Sequence, residues 1–121
     1  MLRIDESPGK GRGVFALRKY AAGETIEDAP VIVLPASQRE YLKKTSLFHY
    51  FFNWGEREDA DCAVCLGFGS LYNHSSNPNA KYTRIYANQI IRFLAIKDIE
   101  KGDEICTNYN GSAFTKQLIS F

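Results

Sequence analysis

The chain has 121 residues, with 15 Lys+Arg against 14 Asp+Glu and a formal net charge of +1, so its bulk charge is not built to grip nucleic-acid phosphate. Its 45% apolar and 24% charged content reads as a single globular domain over residues 1–121, and its longest apolar run, Val31-Ile32-Val33-Leu34, is too short to cross a membrane. Met1 to Glu6 holds no apolar signal core, and three cysteines cannot make a disulfide framework, so the expected setting is intracellular and reducing.

From the N-terminus, Lys10-Gly11-Arg12-Gly13 reads as a glycine-rich turn leading into a strand at 13–17. Two glycines around one residue also let backbone N–H groups approach an anionic ligand. A dinucleotide fingerprint would need a third glycine where Ala16 stands. Thr25-Ile26-Glu27 and Val31 to Leu34 are strand-like and flank Pro30, which predicts a sheet edge or corner. Ser37 and Glu40 have capping-box spacing, predicting a short helix over 37–44. An aromatic stretch, Phe48-His49-Tyr50-Phe51-Phe52-Asn53-Trp54, follows it, and then an acidic loop from Gly55 to Asp61. The 16 aromatic residues suit either a well-packed core or a narrow aromatic channel with a phenol at its floor.

Further on, Leu71-Tyr72-Asn73-His74-Ser75-Ser76-Asn77-Pro78-Asn79 is rich in side chains that bond their own backbone, as in a turn. Residues 81–86 and 89–95 flank Ala87-Asn88, predicting a hairpin with a two-residue turn. Period-two spacing puts Ile91, Phe93 and Ala95 on one face. The segment Gly102-Asp103-Glu104-Ile105-Cys106-Thr107-Asn108-Tyr109 reads as a turn and a strand with a tyrosine near its end. An internal echo links Tyr20 to Ile26 with Ile99 to Ile105, each a tight glycine turn entering a strand. Cys62 and Cys65 have C-x-x-C spacing but lack a full ligand set, so no metal is expected and the thiols read as small buried side chains.

Taken in order, Gly11-x-Gly13, Asn73-His74-Ser75 with Pro78-Asn79, and Gly102-Asp103-Glu104-Ile105 ending in Asn108-Tyr109 resemble the SET-domain family of lysine methyltransferases. The resemblance runs from about Gly9 to Gly111 and is nearest to the minimal, free-standing viral and bacterial type. It implies a mostly β fold, a β-clip of short curled sheets with one or two short helices. It also implies a knot-like C-terminal crossing that joins the Asn73-His74 and Tyr109 segments. The implied cofactor is S-adenosylmethionine. Gly11, Arg12 and Gly13 would line its methionine end, Asn73 and His74 would hold its amino and adenine parts, and Phe114 would cover it. Tyr109 would stand where the methyl group passes to the lysine amine, with Tyr50, Phe68 and Tyr72 lining the lysine channel. The implied partner is a protein carrying a target lysine, a histone tail among the candidates; a homodimer is compatible with so small a domain.

Elementary chemistry agrees with those roles. Displacement at a sulfonium methyl requires nitrogen, methyl and sulfur in line, and good alignment is worth roughly 7–11 kcal/mol of barrier. Free lysine titrates near 10.4, so only on the order of one amine in a thousand is neutral at physiological pH. A dry aromatic channel beside a cation penalises the ammonium form and frees the nucleophile. Asn108 and Asn110 depart from the family pattern around the tyrosine, which motivates an alternative, a SET-like binding module without strong turnover. A plain β scaffold would leave Asn73-His74 and Tyr109 as coincidences.

Overall fold

The computed structural model describes residues 1–109. Its strands are β1 (Leu2–Ser7), β2 (Gly11–Ala16), β3 (Thr25–Leu34), β4 (Phe52–Trp54), β5 (Asp61–Cys65), β6 (Asn73–His74), β7 (Ala80–Ile85), β8 (Ile90–Ala95) and β9 (Glu104–Thr107), with one short helix, α1 (Arg39–Leu42). They form a four-stranded sheet in the order β1-β2-β9-β6 and a five-stranded sheet in the order β4-β5-β3-β8-β7. A single apolar cluster joins the sheets. Val14 and Ile105 come from the first, and Ala29, Val31, Phe52, Ala63, Ile91 and Phe93 from the second. The mostly β architecture is the expected one, and Ile91, Phe93 and Ala95 are all buried on the core side.

Four local expectations are corrected or narrowed. The glycine-rich segment is already strand, because β1 pairs with it from Leu2↔Ala16 to Ser7↔Gly11. Pro30 lies inside a continuous β3 in mid-sheet, not at an edge but at the corner where the strand passes from one ladder to the next. The ladder tolerates it because β3 changes partner there, pairing with β8 up to Pro30 and with β5 from Val31 onward. The Ser37 hydroxyl caps nothing: residues 36–38 form a 3-10 turn, α1 starts at Arg39, and the Ala36 N–H is held by Asp61 Oδ1 at 2.9 Å. A carboxylate from a distant strand replaces the local cap. The hairpin keeps the register implied by the sequence, Ile85↔Ile90, but closes through Tyr86–Asn88 and a left-handed Gln89 at φ 51°. Asn88 is followed by Gln89 and not glycine, so the loop spreads its reversal over four residues.

The internal echo is a local two-fold. Tyr20 and Ile99 exchange N–H···O bonds of 2.9 and 2.8 Å. The Gly23 N–H meets Ala95 O and the Gly102 N–H meets Ala16 O, both at 2.8 Å. In each copy the acid accepts the N–H three residues back, Ala21 to Glu24 and Glu100 to Asp103, both at 3.0 Å. Gly23 and Gly102 sit at φ 89° and 93°, which is why both copies need glycine. Cys62 and Cys65 point to opposite faces of β5. Cys65 joins the main core, while Cys62 packs with Leu42 and Phe51 beneath α1, so the C-x-x-C spacing does not form a chelate.

Candidate active site

β9 brings the three motifs together. On one side it runs antiparallel to β2, with Val14↔Ile105 and Phe15↔Glu104. On the other it runs parallel to β6, with Asn73↔Cys106 and His74↔Thr107. A two-residue parallel pair is weak by itself, and side chains reinforce it. The Asn79 amide donates to Glu104 O and accepts from the Cys106 N–H, each at 2.9 Å, standing in for an absent strand. The Ser75 N–H adds a bond to Thr107 O at 2.9 Å.

Glu104 knots the N-terminal side. Its Oε1 accepts from Ser7 Oγ and its Oε2 from Asn73 Nδ2, both at 2.8 Å. Asn73 Nδ2 also donates to Arg12 O at 2.9 Å, so both amide protons are committed within the protein. Gly13 leaves room at this crowded point: a Cβ there would push against the Glu104 carboxylate and stand 2.9 Å from Asn73 Nδ2. Gly11, at φ 77°, has open space on its Cβ side and leaves the backbone bare. The Lys10 ammonium reaches across to His74 O at 2.9 Å.

Tyr109 closes the arrangement. Its N–H donates to His74 Nδ1 at 3.0 Å, so that nitrogen is an acceptor and the imidazole is neutral with its proton on Nε2. Its hydroxyl donates to Tyr72 O at 2.6 Å in a buried setting. The His74 and Tyr109 rings lie 5.2 Å apart. Burial, reinforced by Cys106, Tyr82, Tyr50 and Glu104, holds the phenol protonated well beyond its ordinary range. A protonated phenol that has given its hydrogen to a carbonyl offers lone pairs to whatever comes next. Burial, with Glu104 adding, also pushes the Cys106 thiol up to about 11, so it is a poor nucleophile at neutral pH.

The structure therefore brings Gly11, Arg12, Gly13, Asn73, His74 and Tyr109 to one place. Tyr50 is exposed at the end of the 3-10 turn Ser46–His49. The Tyr72 ring is sealed in the core against Phe93, centroids 4.4 Å apart, and gives its hydroxyl to Glu27 Oε1 at 2.8 Å. What Tyr72 offers the site is its main-chain carbonyl. Phe68 packs partly buried against the core, its N–H held by Glu27 Oε2 at 2.9 Å. Phe114 and Asn110 lie outside the described residues. The sequence reading missed Lys10, Glu27, Asn79, Tyr82 and the part played by Glu104. Asn79 and Glu104 stand inside the motifs quoted, but their partners are remote in sequence. Tyr82 packs edge-on to Phe52 at 5.2 Å between centroids and is one of the groups that hold the Tyr109 phenol protonated.

Comparison with known proteins identifies the family and the fold. A curated Schizosaccharomyces pombe protein, a histone-lysine N-methyltransferase specific for H3 lysine-37, is 32% identical over 109 residues, 89% of this chain and 72% of that one. The protein-lysine N-trimethyltransferase SMYD5 of Gallus gallus is 30% identical, but the chain spans only 24% of its length. Among solved structures, a Plasmodium falciparum protein described as a candidate histone methyltransferase superposes with a TM-score of 0.69 at 27% identity, covering 93% of this chain and 99% of that one. The ctPRC2 complex bound to S-adenosylmethionine gives 0.76 at 21% identity over 93% of this chain, a likeness of fold. The SET-domain profile matches residues 11–110, from the glycine pair through Tyr109, and the chain belongs to the SET-domain family.

Proposed function

We propose that this protein is a protein-lysine N-methyltransferase that moves the methyl group of S-adenosylmethionine to a lysine ε-amine of a protein substrate, with a histone tail a fitting candidate. The supporting observation is the buried Tyr109 phenol, fixed by His74 at its main chain and by Tyr72 O at its hydroxyl, where β2, β6 and β9 meet.

The residues present suit an amino-acid cofactor. The bare backbone at Gly11 permits close approach, Lys10 and Arg12 supply cations for a carboxylate, and Asn73 Oδ1 is the amide atom left over for an ammonium group. When bound, S-adenosylmethionine supplies an electrophilic methyl on a sulfonium. Tyr109 acts as a neutral acceptor that orients the incoming amine and does not remove its proton, because its own proton is engaged by Tyr72 O. The buried setting of the Tyr109 phenol disfavours an ammonium ion beside it.

Labelled S-adenosylmethionine incubated with the protein, core histones and a cell extract, followed by mass-spectrometric mapping, tests the proposal. Label on lysine side chains is expected. A rise in Tm with the cofactor but no transfer to any protein would instead favour the binding-module reading. Saturation at a hundred times Kd adds roughly 2.7 kcal/mol, which a melting curve resolves.

A further inference from the structure

We infer that Glu27 is a positioning residue for Tyr109, acting through Tyr72. The inference rests on the methyltransferase reading above. Glu27 projects from β3 beside the register shift between Thr25 and Glu27, and its carboxylate accepts two bonds from one distant segment. The Phe68 N–H meets Oε2 at 2.9 Å and the Tyr72 hydroxyl meets Oε1 at 2.8 Å. The segment is thereby pinned at both ends. Gly67 completes the fit, at φ 61° with a Cβ position that would collide with the same carboxylate.

The consequence lies at the main chain of Tyr72. Its carbonyl is the acceptor for the Tyr109 hydroxyl at 2.6 Å, and the next residue, Asn73, ties the strand to Arg12 O and Glu104. With its side chain anchored at one end and its carbonyl engaged at the other, Tyr72 is a strut between a β3 carboxylate and the phenol. Glu27 touches neither substrate nor reacting atoms in this arrangement. It sets where the phenol oxygen sits, and misplacing a reacting group by about 1 Å can cost up to a hundredfold in rate.

The test is a double-mutant cycle in methyl transfer to a histone peptide. Tyr72→Phe deletes the strut's anchoring bond and keeps the ring. We expect kcat to fall roughly tenfold with KM for the peptide within twofold. In a Tyr109→Phe background the same substitution should cost less than twofold, because there is no hydroxyl left to misplace. Equal losses in both backgrounds, or no loss in either, would overturn the inference. Glu27→Gln carries the same cycle should Tyr72→Phe fail to fold. Its single side-chain oxygen can serve only one of the two donors, and its loss should likewise vanish without the Tyr109 hydroxyl. A second readout does not need turnover. The ring Cζ resonance of 13C-labelled Tyr109 should shift in either variant, and an unchanged resonance in both overturns the strut. A parent protein that transfers no methyl group sinks the enzyme reading and leaves the resonance to decide the strut by itself.

Discussion

Tyr109 gives its hydroxyl proton to a carbonyl and so meets any third group as an acceptor. Its phenol stays protonated past pH 10, the ordinary tyrosine range, because burial opposes the phenolate. We therefore expect no inflection from Tyr109 in the pH–rate profile below pH 10. Any rise in kcat/KM over pH 7–10 should follow deprotonation of the substrate lysine and persist in Tyr72→Phe. Gly13 is a second residue-scale constraint. Gly13→Ala drives a methyl into the Glu104 carboxylate and the Asn73 amide, and overpacking of this kind costs about 1–3 kcal/mol. A lowered denaturation midpoint together with weaker cofactor binding is the expected outcome. Unchanged values of both would contradict the packing described. The sequence made Gly13, Asn73 and Tyr109 visible as residue types in an order. It did not show that Gly13 is glycine because protein side chains fill its place, since that crowding is created by β9.

At the scale of the element, the Asn79 amide reinforces β9 beside its pairing with β2 and β6. Asn79→Ala removes its donor to Glu104 O and leaves the Cys106 N–H without the oxygen it had. An unsatisfied buried group costs about 1–3 kcal/mol, and we expect a loss of that order in urea unfolding. Hydrogen exchange at the Cys106 amide should speed up in step. The elements that period-two spacing could show, β7 and β8, came out in their register, because alternation fixes which face is buried. Those it could not show were set by remote partners. Asp61 caps Ala36 across 25 residues, and the switch of β3 from β8 to β5 makes room for Pro30 in mid-sheet. The pairing of β6 with β9 was expected only through family resemblance. Neither segment carries a local signal for a parallel neighbour.

The whole molecule holds several acidic groups in their protonated forms. Burial is the leading cause for the phenols of Tyr20, Tyr72 and Tyr109 and for the thiols of Cys62 and Cys106, and all are pushed up. Folding favours the protonated form of each, so this contribution is complete below the unfolded values, near 8.5 for thiols and 10 for phenols. It is lost as pH rises beyond them toward the folded values. Tm should accordingly hold level up to about pH 8.5, decline slightly to pH 10 and fall steeply above it. A Tm that rose between pH 9 and 11 would contradict this. The echo of Tyr20–Ile26 in Ile99–Ile105 was legible as a repeat of letters. Its meaning, two turns bonded to each other about a local two-fold, needed the closed fold.

The most direct test is to compare the parent with Tyr109→Phe in cofactor binding by calorimetry and in single-turnover methyl transfer to lysine. If three remote segments meet to position one amine, Tyr109→Phe binds S-adenosylmethionine as the parent does. Its transfer rate should be lower by on the order of a hundredfold, the cost of a misoriented amine. Equal transfer by both proteins, or no cofactor binding by the parent, would contradict it.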